Sequence, residues 1–136
     1  MKYLLDTNIC VALIRHQPAA LIQHITSHPP GEVGISSITL AELAHGVEKS
    51  ARPEQNMSAL EQFLLPLELA DFDPKAALAY GKIRAQLERD GQIIGSMDLL
   101  IAAHAISLET TLVTNNVREF QRVARLNVED WISESA

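Results

Sequence analysis

Four of the 17 acidic residues in this 136-residue chain stand where they could bind a cation together. Asp6, Glu42, Asp98 and Glu119 each adjoin or enter an apolar segment. Carboxylates within a few ångströms of one another repel, so one takes up a proton unless a cation compensates. No Cys or His accompanies them, and an oxygen-only donor set favours Mg²⁺, or Mn²⁺, over Zn²⁺. Such a pocket would polarise a phosphodiester and activate water for its hydrolysis.

Each of these acids, taken alone, also has a structural alternative. Asp6 could cap a helix that begins at Thr7, and Asp98 could interact favourably with the positive end of its own helix. Glu42 could be a solvated residue on a helix surface. The hypothesis of a shared site therefore depends on their joint arrangement.

Short apolar or β-branched runs alternate along the chain with segments of helical periodicity. This alternation is typical of a mostly parallel sheet covered by helices on both faces, an α/β fold. The carboxyl ends of parallel strands share one edge, so Asp6 and Asn116 should lie there, within reach of Glu42 and Asp98. The predicted strands are 3–5, 33–36, 67–70 and 111–114, with a final apolar segment at 126–128.

Capping residues and prolines indicate where the helices begin and end. Asp73 is a predicted N-cap with Pro74 at the first helical position, and Gly91 is a predicted stop. Ser37 or Thr39 is expected to cap a helix over 40–47. Further helices are predicted after Asp6, after Pro18, over 59–65, after Ser96 and over 117–123, whereas 50–56 is predicted to be a surface connection.

Composition limits the classes of protein that the chain can represent. A formal net charge of −6 argues against a basic coat protein of nucleic acids, but it does not exclude a nuclease whose acids bind metal. The single Cys10 cannot form an internal disulfide, and no apolar run approaches the roughly 20 residues of a membrane span. We therefore expect one domain over 1–136, in the cytoplasm and not in a membrane.

Four segments of the chain together resemble a PIN domain, and more narrowly the VapC-type toxins of bacterial type II toxin–antitoxin modules. Their order and spacing agree with that family over essentially the whole chain. The segments are 4–8 (LLDTN), 36–43 (SSITLAEL) followed by Gly46, 98–105 (DLLIAAHA) and 112–120 (LVTNNVREF).

The resemblance implies a metal-dependent endoribonuclease with a PIN-like α/β/α sandwich. Asp6, Glu42 and Asp98 would be the catalytic acids that bind Mg²⁺ or Mn²⁺. Many relatives carry Asp where Asn116 stands here, so either Asn116, as a neutral group that orients water or another ligand, or Glu119, as the missing catalytic acid, would complete the site. Thr7 and Thr114 would support the carboxylates through their hydroxyls.

The resemblance also implies partners. The substrate would be RNA, often a structured RNA such as tRNA, and a VapB-like antitoxin would inhibit the enzyme by burying a tail in the acidic groove. Homodimers and a larger complex on operator DNA, bound through the antitoxin, are expected. The apolar faces of 40–47 and 59–65 are candidate partner surfaces. Arg118, Arg122 and Arg125 either contact RNA phosphates or form a solvated helix surface.

Two other functions remain open from the sequence. A small-molecule metal phosphohydrolase or phosphotransferase also begins with a strand that ends in Asp, although Asn8 stands where aspartyl-phosphate enzymes carry a second Asp. A non-catalytic interaction module would use the acids only as caps. Among the other candidates, His24 and His28 have metal-like spacing without a third ligand, His104 is expected to pack in the core, and Trp131 should fix the end of the chain.

Overall fold

The computed structural model describes residues 1–132, which fold around a five-stranded sheet. The strand order is β3-β2-β1-β4-β5, and every neighbouring pair is parallel. The sheet is therefore wholly parallel, where the sequence predicted a mostly parallel one. The strands are β1 (Tyr3–Leu5), β2 (Val33–Ser36), β3 (Glu68–Ala70), β4 (Thr111–Val113) and β5 (Val128–Glu129).

Seven helices occupy the described part of the chain, and they cover both faces of the sheet. They are α1 (Thr7–Arg15), α2 (Ala19–Thr26), α3 (Ser37–Glu48), α4 (Pro53–Leu64), α5 (Pro74–Arg89), α6 (Ser96–Leu108) and α7 (Val117–Phe120). The result is the α/β/α sandwich that the sequence predicted. No helix of residues 1–132 has the length and apolar character needed to cross a bilayer.

Neighbouring residues of the central strands fill two different cores. Leu4 and Leu112 pack with residues of α5 and α6, whereas Leu5 and Val113 pack with residues of α1, α2, α3 and α4. Successive side chains of a strand point to opposite faces, so each short strand contributes to both cores. A strand that is apolar on both faces reads as a continuous apolar run, which is the pattern of β1 and β4.

Several predicted boundaries are confirmed. Asp73 caps α5 by accepting a hydrogen bond from the backbone N–H of Ala76 at 3.0 Å, and Pro74 occupies the first turn. Gly91 lies just beyond the helix with φ of +65°, the left-handed conformation that favours glycine.

Other boundaries were wrong. Ser36, rather than Ser37 or Thr39, caps α3 through its hydroxyl, so this helix begins at Ser37. The segment 50–56 is not wholly a connection, because α4 begins at Pro53, a residue that is well suited to a first helical turn. Thr114 lies outside β4, and α7 ends at Phe120 rather than at Val123.

Candidate active site

The ends of β1 and β4 place the first acid at the centre of the sheet edge. The backbone N–H of Asp6 donates to the carbonyl of Val113 at 3.0 Å, which joins the two strand ends. The Asp6 side chain is 2% exposed and caps α1, accepting from the N–H of Ile9 at 2.9 Å. The structural alternative for Asp6 is thus true, and it fixes the carboxylate at this edge.

The environment of Asp6 disfavours its charge. Burial raises the pKa of its carboxyl, and the negative charge of Glu42 raises it further. Hydrogen bonds from Thr114 and from the backbone of Ile9 lower the pKa, but they do not cancel the effect of burial. A cation beside Asp6 would offset this cost.

Glu42, on the second turn of α3, is held by a hydroxyl from α1. The Thr7 Oγ1 donates to Glu42 Oε1 at 2.5 Å and lies 3.3 Å from the Thr39 Oγ1. Glu42 is half-buried, so it is not the fully solvated residue that its position on a helix surface allowed. The contact between α1 and α3 directs it towards Asp6.

Asp98, in the first turn of α6, shows that the acids converge. The pKa of its carboxyl is raised to about 7, first by burial, then by the charge and hydrogen bond of Glu119, and then by the charges of Asp6 and Glu42. The structure therefore brings all four predicted acids into electrostatic contact.

Glu119 links two loops at this edge. Its Oε1 accepts from the backbone N–H of Gly95 at 3.0 Å, and its Oε2 accepts from the Asn116 side-chain amide. The N–H of Asn116 in turn donates to Thr114 Oγ1 at 2.9 Å. A Cβ added to Gly95 would lie 3.5 Å from Asp98 Oδ2, so the loop approaches the acids closely. Asn116 orients Glu119 in this arrangement.

The donor set fits a hard divalent cation. Four carboxylates supply oxygen ligands, and their mutual repulsion leaves negative charge uncompensated. Within residues 1–132, however, no three His, Cys, Asp or Glu side chains are already grouped around one position. Glu42 and Glu119 are each held in place by the hydrogen bonds described above.

A largely apolar groove of about 180 Å³ adjoins the acids between α1, α3 and α4. Thr7 and Glu42 line its end at the acidic site, and Arg15 adds a positive charge to its wall. Its apolar lining includes Val11, Ile14, Leu43, Val47 and Leu60. The groove involves both segments that the sequence predicted as partner surfaces.

The arginines predicted to contact RNA differ in their surroundings. Arg122 donates from Nη1 to the carbonyl of Ile93 at 2.9 Å, and this ties it to the loop before α6. Arg118 is exposed on α7, and Arg125 is exposed with φ of +68°. Of these three arginines, Arg118 is the one that lies on α7, the helix that carries Glu119, and it is exposed to solvent.

His104 is fully buried, as predicted, with Nδ1 2.7 Å from the Ser36 hydroxyl and its ring against Phe72. Burial lowers the pKa of its imidazole, which favours the neutral form. It is a core residue rather than a base at the acidic edge.

Two residues of the site were missed by the sequence analysis. Thr39 stands three positions before Glu42, a spacing that puts both on one face of a helix and could have indicated it. Gly95 gave no such signal, because its contact joins a loop to Glu119 on α7, 24 positions away.

An α/β/α sandwich with four acids at the carboxyl edge of a parallel sheet defines the class of this protein. The model of the PIN domain family matches residues 3–126. A curated relative, Ribonuclease VapC2 of Rickettsia felis, is 48% identical over 96% of this chain and 98% of its own length. The tRNA(fMet)-specific endonuclease VapC of Shigella flexneri is 44% identical over 96% of this chain and 98% of its own length.

Solved structures agree with these sequence relationships. VapBC2 of Rickettsia felis, bound to a DNA fragment from its promoter, contains a chain with 47% identity and a TM-score of 0.92, covering 96% of this chain and 99% of that chain. DNA-bound VapBC of Salmonella typhimurium gives 43% identity and a TM-score of 0.93, covering 96% and 98%. The chain belongs to the PIN domain family, and within it to the VapC group.

Proposed function

We propose that this protein is a divalent-metal-dependent endoribonuclease, the toxin of a type II toxin–antitoxin pair. The observation that carries the proposal is the electrostatic convergence of the acids. Burial raises the pKa of Asp98 most, and the charge and hydrogen bond of Glu119 and the charges of Asp6 and Glu42 raise it further, to about 7. A protein that needed these residues only as caps would gain nothing from placing their charges together.

Asp6, Glu42 and Asp98 are the residues that would hold Mg²⁺ or Mn²⁺. A bound divalent cation supplies positive charge that offsets their repulsion and polarises a phosphodiester. Asp6 is fixed by its cap and Glu42 by Thr7, which limits how far either carboxylate can turn. Glu119, oriented by Asn116, provides the fourth acid near Asp98, and Thr114 supports Asp6 through a hydrogen bond.

The substrate that we propose is structured RNA, with tRNA as the first candidate. The names of the two curated relatives described above support it, since one is named a ribonuclease and the other a tRNA(fMet)-specific endonuclease. The exposed guanidinium of Arg118, one position before Glu119, is placed to meet a phosphate of the backbone. An acidic site on a protein of net charge −6 needs such local positive charge to accept RNA.

A VapB-like antitoxin is the proposed inhibitor, and its complex with the toxin would bind operator DNA. The two solved relatives described above are VapBC complexes bound to DNA. The groove between α1, α3 and α4 supports the proposal, because it is largely apolar and ends at Glu42. An amphipathic segment seated there would reach the acids with its end.

The decisive experiment measures RNA cleavage by the purified, antitoxin-free protein with Mg²⁺ or Mn²⁺ and with EDTA. We expect metal-dependent cleavage of tRNA that Asp98→Asn reduces at least about 100-fold, since even residues that only support metal ligands contribute about 10–100-fold. Asp90→Asn is the matched control, because Asp90 is an exposed residue at the end of α5. Addition of the co-expressed antitoxin should abolish cleavage.

Unchanged cleavage by the Asp98→Asn variant would show that the reaction does not take place at this acidic site. If the wild-type protein cleaves no RNA but releases phosphate from small esters, it is a phosphohydrolase. If the protein neither cleaves RNA nor releases phosphate with any divalent metal, it is a non-catalytic interaction module.

A further inference from the structure

Thr39 is a buried hydroxyl beside the acidic site that the proposed catalytic set does not include. It is fully buried on α3, one turn before Glu42. Its Oγ1 lies 3.3 Å from the Thr7 Oγ1, which itself lies 2.5 Å from Glu42 Oε1. Three side chains from two helices thus form a row that ends on a proposed metal ligand.

The direction of the hydrogen bonds in this row follows from counting protons. Each threonine hydroxyl has one proton, and an ionised carboxylate has none. The short contact assigns the Thr7 proton to Glu42, so the Thr7 oxygen is left to accept the proton of Thr39. Thr39 therefore donates to Thr7, and Thr7 donates to Glu42.

The burial of Thr39 gives an independent reason to assign it a role. Within residues 1–132 the Thr7 hydroxyl is the one hydrogen-bond partner of the Thr39 side chain. Valine has nearly the same shape and would fill this position without the cost of desolvating a hydroxyl. A buried polar group with a single long hydrogen bond contributes little to stability. The position is better suited to orienting Thr7 than to stabilising the core.

We propose that Thr39 is a positioning residue that fixes the Thr7 hydroxyl and, through it, the direction of the Glu42 carboxylate. The inference rests on the proposed function, because Glu42 has to be a metal ligand for its direction to matter. It predicts that loss of the Thr39 hydroxyl weakens metal binding without weakening the fold.

The test measures binding of Mn²⁺ alone to the full chain, by titration calorimetry, together with thermal unfolding in EDTA. Thr39→Val should bind Mn²⁺ about 2- to 10-fold more weakly, the effect of one hydrogen bond. Its unfolding temperature in EDTA should equal or exceed that of the wild type. Thr39→Ser keeps the hydroxyl and should restore wild-type affinity, while Thr7→Val should weaken binding at least as much as Thr39→Val.

Thr110→Val is the matched control. Thr110 is also buried, its hydroxyl donates to the carbonyl of Ala105 at 3.3 Å, and it lies just before β4, at the amino-terminal end of that strand, whereas the acids lie beyond the carboxyl ends. It should leave Mn²⁺ affinity unchanged. Wild-type affinity in Thr39→Val, or equal weakening in Thr39→Ser, would overturn the inference and leave the nuclease proposal intact. If the wild type binds no Mn²⁺ and cleaves no RNA, both proposals fall.

Discussion

Within residues 1–132, the acids and the pair His24 and His28 both have residue types typical of metal sites, but their surroundings differ in kind. In the acidic site, burial first and then the charges of Glu119, Asp6 and Glu42 raise the pKa of Asp98. His24 and His28 stand four positions apart near Tyr3, at the start of β1, where their rings stack on Trp131 at centroid distances of 4.2 and 5.4 Å.

The difference lies in charge rather than in hydrogen bonding. The His28 ring packs on two aromatic rings and its Nδ1 lies 3.4 Å from a Glu32 carboxylate oxygen, while its buried Nε2 has no hydrogen-bond partner within residues 1–132. The acids repel one another although Asp6, Glu42 and Glu119 accept hydrogen bonds. Spacing suited to a metal occurs in both groups, but electrostatic conflict is found only among the acids, and conflict is the better indicator of function.

The largest expected effect concerns the stability of the aromatic cluster. Trp131 is fully buried and donates from Nε1 to Glu129 at 2.9 Å. Trp131→Ala should lower the free energy of unfolding by about 3–5 kcal/mol, the usual cost of such a cavity. Because this is the single Trp of the chain, circular dichroism in urea should follow unfolding. Trp131→Phe should recover part of the loss, and a loss below about 1 kcal/mol would show that the cluster is not structural.

At the acids we expect a smaller change in the free energy of unfolding, and here the substitution should increase it. The folded-state pKa of Asp98, about 7 against a usual 3.8, means that the folded protein binds the proton more tightly than the unfolded chain. This contribution to stability is complete below pH 4 and is lost as the pH rises through about 7.

In EDTA at pH 8, Asp98→Asn should therefore be more stable than the wild type, by about 1 kcal/mol since water screens a half-exposed carboxyl. The advantage should vanish near pH 4, where both proteins are neutral at this position. Mn²⁺ should stabilise the wild type and not the variant. Thermal unfolding across this range is the measurement, and equal stabilities throughout would show that the acids do not conflict.

The Asn116→Asp variant tests how a further acid would change the repulsion among the carboxylates of the site. The amide of Asn116 donates to Glu119, and aspartate would replace this bond with repulsion. In EDTA at pH 8 we expect the variant to lose about 1 kcal/mol of stability, or roughly 3 °C. Asn116→Ala removes the bond without adding charge and should lose less. Equal losses in both variants would show that charge is not the cause.

The smallest expected effect belongs to His28. His28→Gln removes one ring from the stack and should cost about 0.5–1 kcal/mol of stability, the contribution of one aromatic pair. Mn²⁺ affinity should stay at the wild-type value, as measured by the same calorimetry. A fall in affinity would mean that the two groups are coupled and that the distinction between them is too simple.

The sequence was sufficient for those parts of the fold that depend on local chemistry. The apolar run of β1 before Asp6 and the Asp73–Pro74 pair at the start of α5 predicted a strand and a helix that the structure confirms. Pro53 was assigned to a surface connection because proline is compatible both with a turn and with a first helical position, and the packing of α4 against α1 and α3 decides between the two.

The acids of the candidate site were predicted together with their supports Thr7, Thr114 and Asn116, whereas Thr39 and Gly95 were not. Asp6 follows a strand and Asp98 lies in the first turn of a helix, while Glu42 and Glu119 lie within helices that periodicity locates. The two supports that were missed make contacts with distant parts of the chain: Thr39 reaches Thr7 across two helices, and Gly95, in a loop, reaches Glu119 on α7. Such contacts depend on tertiary geometry, which has no period along the sequence.

The brevity of β1 has a consequence for how this enzyme can change. Only three residues long, the strand commits Leu4 to one core and Leu5 to the other, and the next side chain is that of Asp6. Sliding the strand by a single position would exchange the two leucines and turn the carboxylate to the wrong side of the sheet. A substitution at either leucine therefore affects the direction of the Asp6 carboxylate as well as the stability of the fold. An insertion before Asp6 should inactivate a protein that still folds.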